Sequence, residues 1–385
     1  MKLGLKRTIL RAVGATVISL LGVELVRGQA GGPEQKPLMA EDAFKNIQVL
    51  RGLTVNEFME TMGFFSASLN ANCTYCHGDD SGGNWAKYAD DTPLKQTARR
   101  MVLTMNAINK AEFGGERKVT CYTCHRFANR PKVTPNLAEQ YSTPPPEEPD
   151  QISEQAPGQP SADQILDKYI QALGGAQRLS AVTSFSAKGT FQAYDDPEKR
   201  PAEVYAKAPG ERTTIMHAPS GDSTMSCDGR SGWIAAPETD KPVPVVALTG
   251  SDLDSVKIDA EMSFPARIKQ IFSKWVVGFP FTINDRDVNV VQGTSAGGTI
   301  VKLYFDKQTS LLLRMVRYTE LPIGFISTQT DFSDYRNVAG VKMPFKWTLT
   351  WVDGRSIFEM NQVDANVPID ATKFARPTPP RPALP

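Results

Sequence analysis

The stretch Cys73-Thr74-Tyr75-Cys76-His77 recurs downstream as Cys121-Tyr122-Thr123-Cys124-His125, with the two middle residues exchanged. In one turn of helix, two thiols three residues apart lie on the same side. Each can form a thioether with one vinyl group of a haem, and the histidine that follows then faces the iron. The duplicated C-x-x-C-H therefore predicts two c-type haems, held by Cys73 and Cys76 with His77, and by Cys121 and Cys124 with His125. Other chemistries use paired cysteines. A tetrahedral zinc site built from the four thiols gives no role to a histidine after each pair. Two disulfides would suit an oxidising compartment. A thioredoxin-like redox pair needs βαβ surroundings that this sequence lacks.

Two haems need four axial ligands, and the chain has three histidines. Only His217 is left over, far downstream in a strand-rich region, so two bis-histidine haems are impossible within one chain. Methionine is the alternative. Met59 and Met62 lie on a helix-like stretch, Val55 to Leu69, before the first motif. Met101 and Met105 lie on another, over residues 92–111, where Thr92 can cap and Pro93 suits the first position. Leu94, Ala98, Met101, Met105 and Ile108 are expected to form one stripe of that helix. One methionine of each pair is the expected sixth ligand, with core packing the alternative role. His/Met ligation raises the potential relative to bis-histidine and fills the coordination sphere, which favours electron transfer over small-molecule catalysis.

Working outward, residues 1–30 read as a signal peptide. Lys2, Lys6 and Arg7 precede an apolar run over residues 12–23, and Gly28-Gln29-Ala30 supplies small residues for cleavage. That run is shorter than the ~20 residues needed to span a bilayer. The five cysteines begin at Cys73, which leaves none for lipid attachment at the start. Net charge is +1 for the 385 residues, and the chain after residue 30 is slightly acidic. That balance argues against nucleic acid as a partner.

The predicted fold class is multidomain: an N-terminal mainly-α dihaem domain at 39–135, then an α+β domain at 161–378 with a large curved antiparallel sheet. Residues 143–160, with Pro144, Pro145, Pro146, Pro149, Pro157 and Pro160, read as a proline-rich linker. Residues 379–385 read as a disordered tail. Ser161 and Gln164 form a capping box for a helix whose apolar face is Ile165, Leu166, Tyr169, Ile170 and Leu173, ended by Gly174-Gly175. Strands are expected at 185–194, 202–207, 212–217, 223–228, 232–236, 288–292, 299–306, 311–319, 326–335, 341–352 and 356–362, with a helical insert at 251–275. Cys227 is expected to be a small buried residue, and His217 to make a surface hydrogen bond.

Residues 45–131 resemble the cytochrome c subunit of photosynthetic reaction centres. The resemblance rests on Lys45-Asn46-Ile47-Gln48-Val49-Leu50 with Gly52, Phe58 with Met62, and the first motif. It continues through Ala98-Arg99-Arg100-Met101 and Ile108-Asn109 to Val119-Thr120-Cys121-Tyr122-Thr123-Cys124-His125-Arg126. In that family each haem lies along a helix whose methionine is the sixth ligand. The resemblance therefore implies Met62 for the haem at His77 and Met101 for the haem at His125, with Met59 and Met105 as packing neighbours. Two departures stand out: the well-known members carry four haems where this chain has two motifs, and Phe127 stands where a glycine usually follows His-Arg. The strand-rich region more weakly resembles the lipoprotein-sorting (LolA-like) half-barrel. It does so through Tyr304-Phe305-Asp306, Leu311-Leu312-Leu313-Arg314, Asp331-Phe332-Ser333-Asp334-Tyr335-Arg336, Gly340-Val341 and Met343-Pro344-Phe345. That fold implies a concave surface for an apolar ligand such as lipid or quinone, or for a partner protein.

The resulting expectation is a periplasmic dihaem electron carrier rather than an enzyme, associated with the outer face of the inner membrane and exchanging electrons with a membrane-bound donor or acceptor complex. The alternatives are a dihaem redox enzyme such as a peroxidase, and a haem-containing lipid- or quinone-binding module.

Overall fold

A computed structural model describes residues 36–378 except 83, 143–149, 195 and 237–242. The expected signal peptide, the proline run at 143–149 and the tail at 379–385 lie outside the described residues.

The helical segments are α1 (Ala40–Ala43), α2 (Val55–Leu69), α3 (Cys73–His77), α4 (Pro93–Glu112), α5 (Cys121–His125), α6 (Leu137–Gln140), α7 (Ala162–Leu173), α8 (Ala176–Ser180), α9 (Gly250–Met262) and α10 (Ile268–Ile271). Their ends follow from local chemistry. Thr54 and Glu57 form a reciprocal capping box on α2. Thr92 accepts from the Lys95 amide, and Pro93 opens α4 without forfeiting a hydrogen bond. Ser161 and Gln164 cap α7 as the sequence predicts, and Gly174, at φ 129°, ends it.

The strands are β1 (Ser184–Ala193), β2 (Arg200–Lys207), β3 (Glu211–Ala218), β4 (Gly221–Asp228), β5 (Gly232–Ala235), β6 (Val245–Leu248), β7 (Lys274–Val277), β8 (Phe281–Ile283), β9 (Arg286–Thr294), β10 (Ile300–Asp306), β11 (Leu312–Leu321), β12 (Gly324–Val338), β13 (Val341–Trp351) and β14 (Gly354–Ala365). They form one antiparallel sheet in the order β6-β5-β4-β3-β2-β1-β14-β13-β12-β11-β10-β9-β7, with β8 on β9. The chain builds two meanders, and its last strand, β14, inserts beside β1 to join them.

This topology corrects the expectation of a large curved sheet of half-barrel type. The ladder is an open path, not curved round to close, and its terminal strands do not pair with each other. Both terminal strands have only four residues and offer few ladder groups. The β7 edge is engaged instead by the segment before α7: the Ala156 amide donates to the Val277 carbonyl at 2.8 Å, and the Val277 amide to Gln155 Oε1 at 3.0 Å. The helical insert is also shorter than expected, because Trp275 lies in β7 rather than in a helix.

Alternation places Ala202, Val204 and Ala206 of β2, and Phe358 and Met360 of β14, in one core with α7. Strand β10 is buried on both faces. Val301, Leu303 and Phe305 join that core, while Tyr304 joins a second cluster with Val288, Val290 and Leu313. A third cluster ties α2 and α4 to the sheet. Leu50, Phe64, Val102 and Met105 pack with Leu321, Ile323 and Ile326 around the β11–β12 hairpin. Ile323, in the turn of that hairpin, is fully buried. Arg117 adds a hydrogen bond to the Pro322 carbonyl at 3.1 Å and an ion pair with Glu320. Asn56 of α2 also donates to Asp252 of α9 at 2.7 Å.

Candidate haem-binding sites

Helix α2 is two-sided. Thr61, Phe64 and Ser68 are buried, and Phe64 faces the β11–β12 hairpin. Phe58, Met59, Met62, Phe65 and Leu69 line a cavity of about 440 Å³ on another side. The i, i+4, i+7 spacing of Phe58, Met62, Phe65 and Leu69 makes that stripe. Across the cavity lie Cys73, Cys76 and His77 of α3, Trp85 and Tyr88 of the following loop, and Lys95, Ala98 and Arg99 of α4. One hollow thus holds both thiols, the histidine and both methionines that the first motif was expected to combine.

His77 is half-buried, and its Nδ1 lies 3.0 Å from the Tyr88 carbonyl. A carbonyl oxygen can only accept, so Nδ1 carries the proton and Nε2 keeps its lone pair for a metal. Burial holds the imidazole pKa below its ordinary value. The Tyr88 hydrogen bond opposes that shift, while the positive charges of Lys95 and Arg99 reinforce it. The ring is neutral at pH 7, the form that ligates iron. Tyr88 also packs on His77 with centroids 4.8 Å apart, and its carbonyl accepts a second bond from Lys95 Nζ at 2.8 Å. Thr92, the cap of α4, donates to the Cys76 carbonyl at 2.5 Å, tying the first motif to the next helix.

The second motif repeats this arrangement. His125 Nδ1 lies 2.9 Å from the Ala128 carbonyl, so the same tautomer is fixed and Nε2 is again the free nitrogen. Arg126 and Phe127 both adopt positive φ, 45° and 64°, and the Phe127 amide donates to the Ser68 carbonyl of α2 at 3.0 Å. This left-handed turn brings the Ala128 carbonyl back to His125 at the position where the resembling family has glycine. Asn109 braces the approach to the motif, donating to the Val119 carbonyl at 2.7 Å and accepting from the Lys118 and Val119 amides. The two motifs are neighbours: Asn129 Nδ2 donates to the Tyr75 hydroxyl inside the first motif at 3.2 Å.

The expected stripe of α4 divides. Ala98 faces the first cavity and Met105 is buried against the hairpin cluster. Leu94, Met101 and Ile108, spaced by seven residues, form an exposed apolar line, with Met101 45% exposed. The helix therefore presents different faces to two neighbours.

The donor chemistry fits haem better than the alternatives. All five cysteines are free. Among the described residues, no three or more His, Cys, Asp or Glu side chains are grouped so as to hold a metal ion. Burial raises the Cys121 thiol pKa to about 11 and also raises that of Cys76, the opposite of a redox-active pair. The residues present suit a c-type haem: each motif offers two thiols and an imidazole whose Nδ1 is held by a carbonyl, and the first also has Met59 and Met62 in the same hollow.

Several participants escaped the sequence reading. Tyr88 and Ala128 act through backbone carbonyls, which no residue type signals. Lys95 and Asn129 carry no spacing signature, and Arg99 enters the sequence reading only as part of the resemblance, without a role. His217 lies far from both motifs in sequence and pairs with Asp222 at 2.8 Å, a surface role as expected. Cys227 is buried, 1% exposed.

Residues 23–163 match the family described as the photosynthetic reaction centre cytochrome C subunit. The chain is 42% identical over 98 residues to the photosynthetic reaction center cytochrome c subunit of Thermochromatium tepidum, covering 24% of this chain and 23% of that protein. It is 35% identical over 107 residues to the corresponding subunit of Roseobacter denitrificans, covering 26% and 28%. The chain thus spans about a quarter of the length of the curated relatives it matches. The sheet region weakly resembles a LolA superfamily protein of Nitrosomonas europaea (TM-score 0.38, 14% identity, 56% of this chain and 98% of that one). It is similarly close to a DUF1329 family protein of Desulfovibrio piger (TM-score 0.39, 12% identity, 55% and 96%). Among the described residues, no helix is long and apolar enough to cross a membrane.

Proposed function

We propose that this chain is a periplasmic dihaem c-type cytochrome that transfers electrons. Cys73 and Cys76 hold one haem, with His77 and Met62 as axial ligands. Cys121 and Cys124 hold the other, with His125 and Met101. Bound haem supplies a one-electron ferric/ferrous couple. The protein's own contribution is orientation and exclusion of water. The Tyr88 and Ala128 carbonyls fix both imidazoles, and Phe58, Phe65 and Leu69 wall the first site. The reading rests chiefly on the first cavity, where two thiols, His77 and Met62 line one hollow of about 440 Å³. The Asn129–Tyr75 bond supports passage between two adjacent sites, and a membrane-bound donor or acceptor complex completes the relay.

A redox titration followed by visible spectroscopy tests the ligand assignment. Met62→Ala and Met101→Ala are each expected to lose one His/Met signature and to lower the potential of one haem. Wild-type spectra in both variants would refute the assignment.

The sheet region favours a second, compatible role. An apolar cavity of about 260 Å³, lined by Phe185, Phe264, Phe332 and Trp347 with Arg212 at its wall, suits an apolar small molecule such as a lipid or quinone. Solvent extraction of the purified protein followed by mass spectrometry checks this, and a clean extract would count against it.

A further inference from the structure

The cavity of the sheet region holds a cation that a purely apolar occupant leaves unexplained. Its walls run from Met225 and Cys227 on β4 to Leu312 and Met315 on β11. Those strands are seven places apart in the sheet order, roughly 33 Å along the sheet at about 4.8 Å a step. A volume of about 260 Å³ spread over that length is long and narrow, the form of one extended chain. The charged groups of the lining are Arg212, Asp259 and Lys342, and Lys342 is exposed. Asp259 pairs with Arg317, whose Nη1 also donates to the Ser255 carbonyl at 3.2 Å. Arg212 reaches from β3 to the end of α9, where its Nη1 donates to Ser263 Oγ at 2.6 Å. Ser263 in turn donates to the Asp259 carbonyl at 3.0 Å, which holds that contact in place. The remaining N–H donors of Arg212 have no hydrogen-bond partner among the described residues. Arg212 and Arg317 thus share one carboxylate, and a net positive charge is left beside an apolar wall. Burial pushes the Arg212 pKa down, Asp259 opposes that shift and Arg317 adds to it. A guanidinium stays charged all the same, so an anion brought alongside relieves the cost of enclosing it.

We infer that this cavity takes a single-chain carboxylic acid, with its carboxylate on Arg212 and its alkyl chain laid along the sheet. This rests on the reading of the cavity as an apolar-ligand site and names the class of ligand. The planar guanidinium matches a carboxylate through two parallel N–H donors. One uncompensated positive charge suits a monoanion better than a dianionic phosphate ester. The apolar walls, Phe185, Phe264, Phe332 and Trp347 among them, take the chain.

The test is calorimetric titration of the full-length protein at neutral pH with dodecanoic acid and, separately, dodecan-1-ol, each below its aggregation limit. The two share a chain and differ in charge. Wild type is expected to bind one dodecanoate per chain, roughly tenfold or more tighter than the alcohol, because a charge-assisted hydrogen bond is lost in the second case. Arg212→Met is expected to bring dodecanoate down to the level of the alcohol and to leave the alcohol unchanged. Arg212→Lys is expected to keep most of the preference. Met216→Trp, which fills part of the cavity, is expected to weaken both ligands. The inference is overturned if wild type binds acid and alcohol equally, or if the preference survives in Arg212→Met. The wild-type comparison stays decisive should Arg212→Met fail to fold. Dodecyl phosphate binding more tightly than dodecanoate would overturn the carboxylate assignment. If neither dodecanoate nor dodecanol binds, or if Met216→Trp folds and affects neither, the apolar-ligand reading fails and the inference falls with it. That result differs from a lost preference, in which the alcohol still binds.

Discussion

At the scale of single residues, the two histidines proposed as haem ligands show how much of such a site lies outside its ligands. His77 and His125 are legible because each follows a C-x-x-C pair. What orients them, an Nδ1 committed to a carbonyl with Nε2 left unencumbered, depends on the backbone of Tyr88 and Ala128. A carbonyl exists at every position, so its usefulness appears only once the chain is folded. The turn at Arg126-Phe127 is similar: a non-glycine residue at φ 64° is costly, and the Phe127–Ser68 bond helps to hold it.

Charge at one residue also gives a pH prediction. Glu359 on β14 lies opposite Lys346 on β13, at 2.7 Å, and also pairs with Lys199. The hydrogen bond from Lys199, then that from Lys346, lowers its pKa from 4.5 to about 2. A carboxylate depressed on folding contributes stability that is complete above the unfolded pKa and fades as pH falls through the folded one. The contribution is therefore present above about pH 4.5 and lost towards pH 2. Thermal unfolding across that window should show Glu359→Gln less stable than wild type at its upper end, with the gap closing towards its lower end. A gap that stays constant across the window would mean the ion pairs do not contribute.

At the scale of elements, helices read more clearly than short strands. The boundaries of α2, the Thr92-Pro93 start of α4 and the Ser161/Gln164 box of α7 are all local signals, and all are found. Strands β6, β7 and β8 were not anticipated. They have four, four and three residues, too few for alternation to register. The β11–β12 hairpin is the element whose role the sequence hides most. Its tip, Pro322-Ile323, looks like an ordinary turn, yet Ile323 is buried among residues of α2 and α4 more than 200 positions earlier.

That docking is testable. Phe64 is 6% exposed and its ring lies directly against Gly324, where any added Cβ would collide with it. Phe64→Ala is expected to cost about 3 kcal/mol or more in urea unfolding, as for other buried aromatics. Gly324→Ala should destabilise the same contact from the opposite side, and the double variant should cost less than the sum because the smaller side chain relieves the clash. Strict additivity would show that the two residues do not share one contact.

At the scale of the whole molecule, the order of segments was legible and the shape of the sheet was not. Alternating strands announce an antiparallel sheet, but whether its ends meet depends on two four-residue edge strands and on what covers them. The placement of α2 and α4 on the sheet through Leu321, Ile323 and Ile326 likewise depends on contacts distant in sequence. The paired C-x-x-C-H motifs were the most legible feature, because fixed spacing is read directly from the sequence, whereas packing tolerates many sequences.

The central claim is that four thiols, Cys73, Cys76, Cys121 and Cys124, are committed to thioethers with two haems. Intact-mass spectrometry of the protein purified from a periplasmic extract tests it most directly. The expected mass exceeds that of the processed polypeptide by two haems, and Cys121→Ala with Cys124→Ala lowers the excess to one. A mass equal to the polypeptide alone, from material without Soret absorption, would contradict the account.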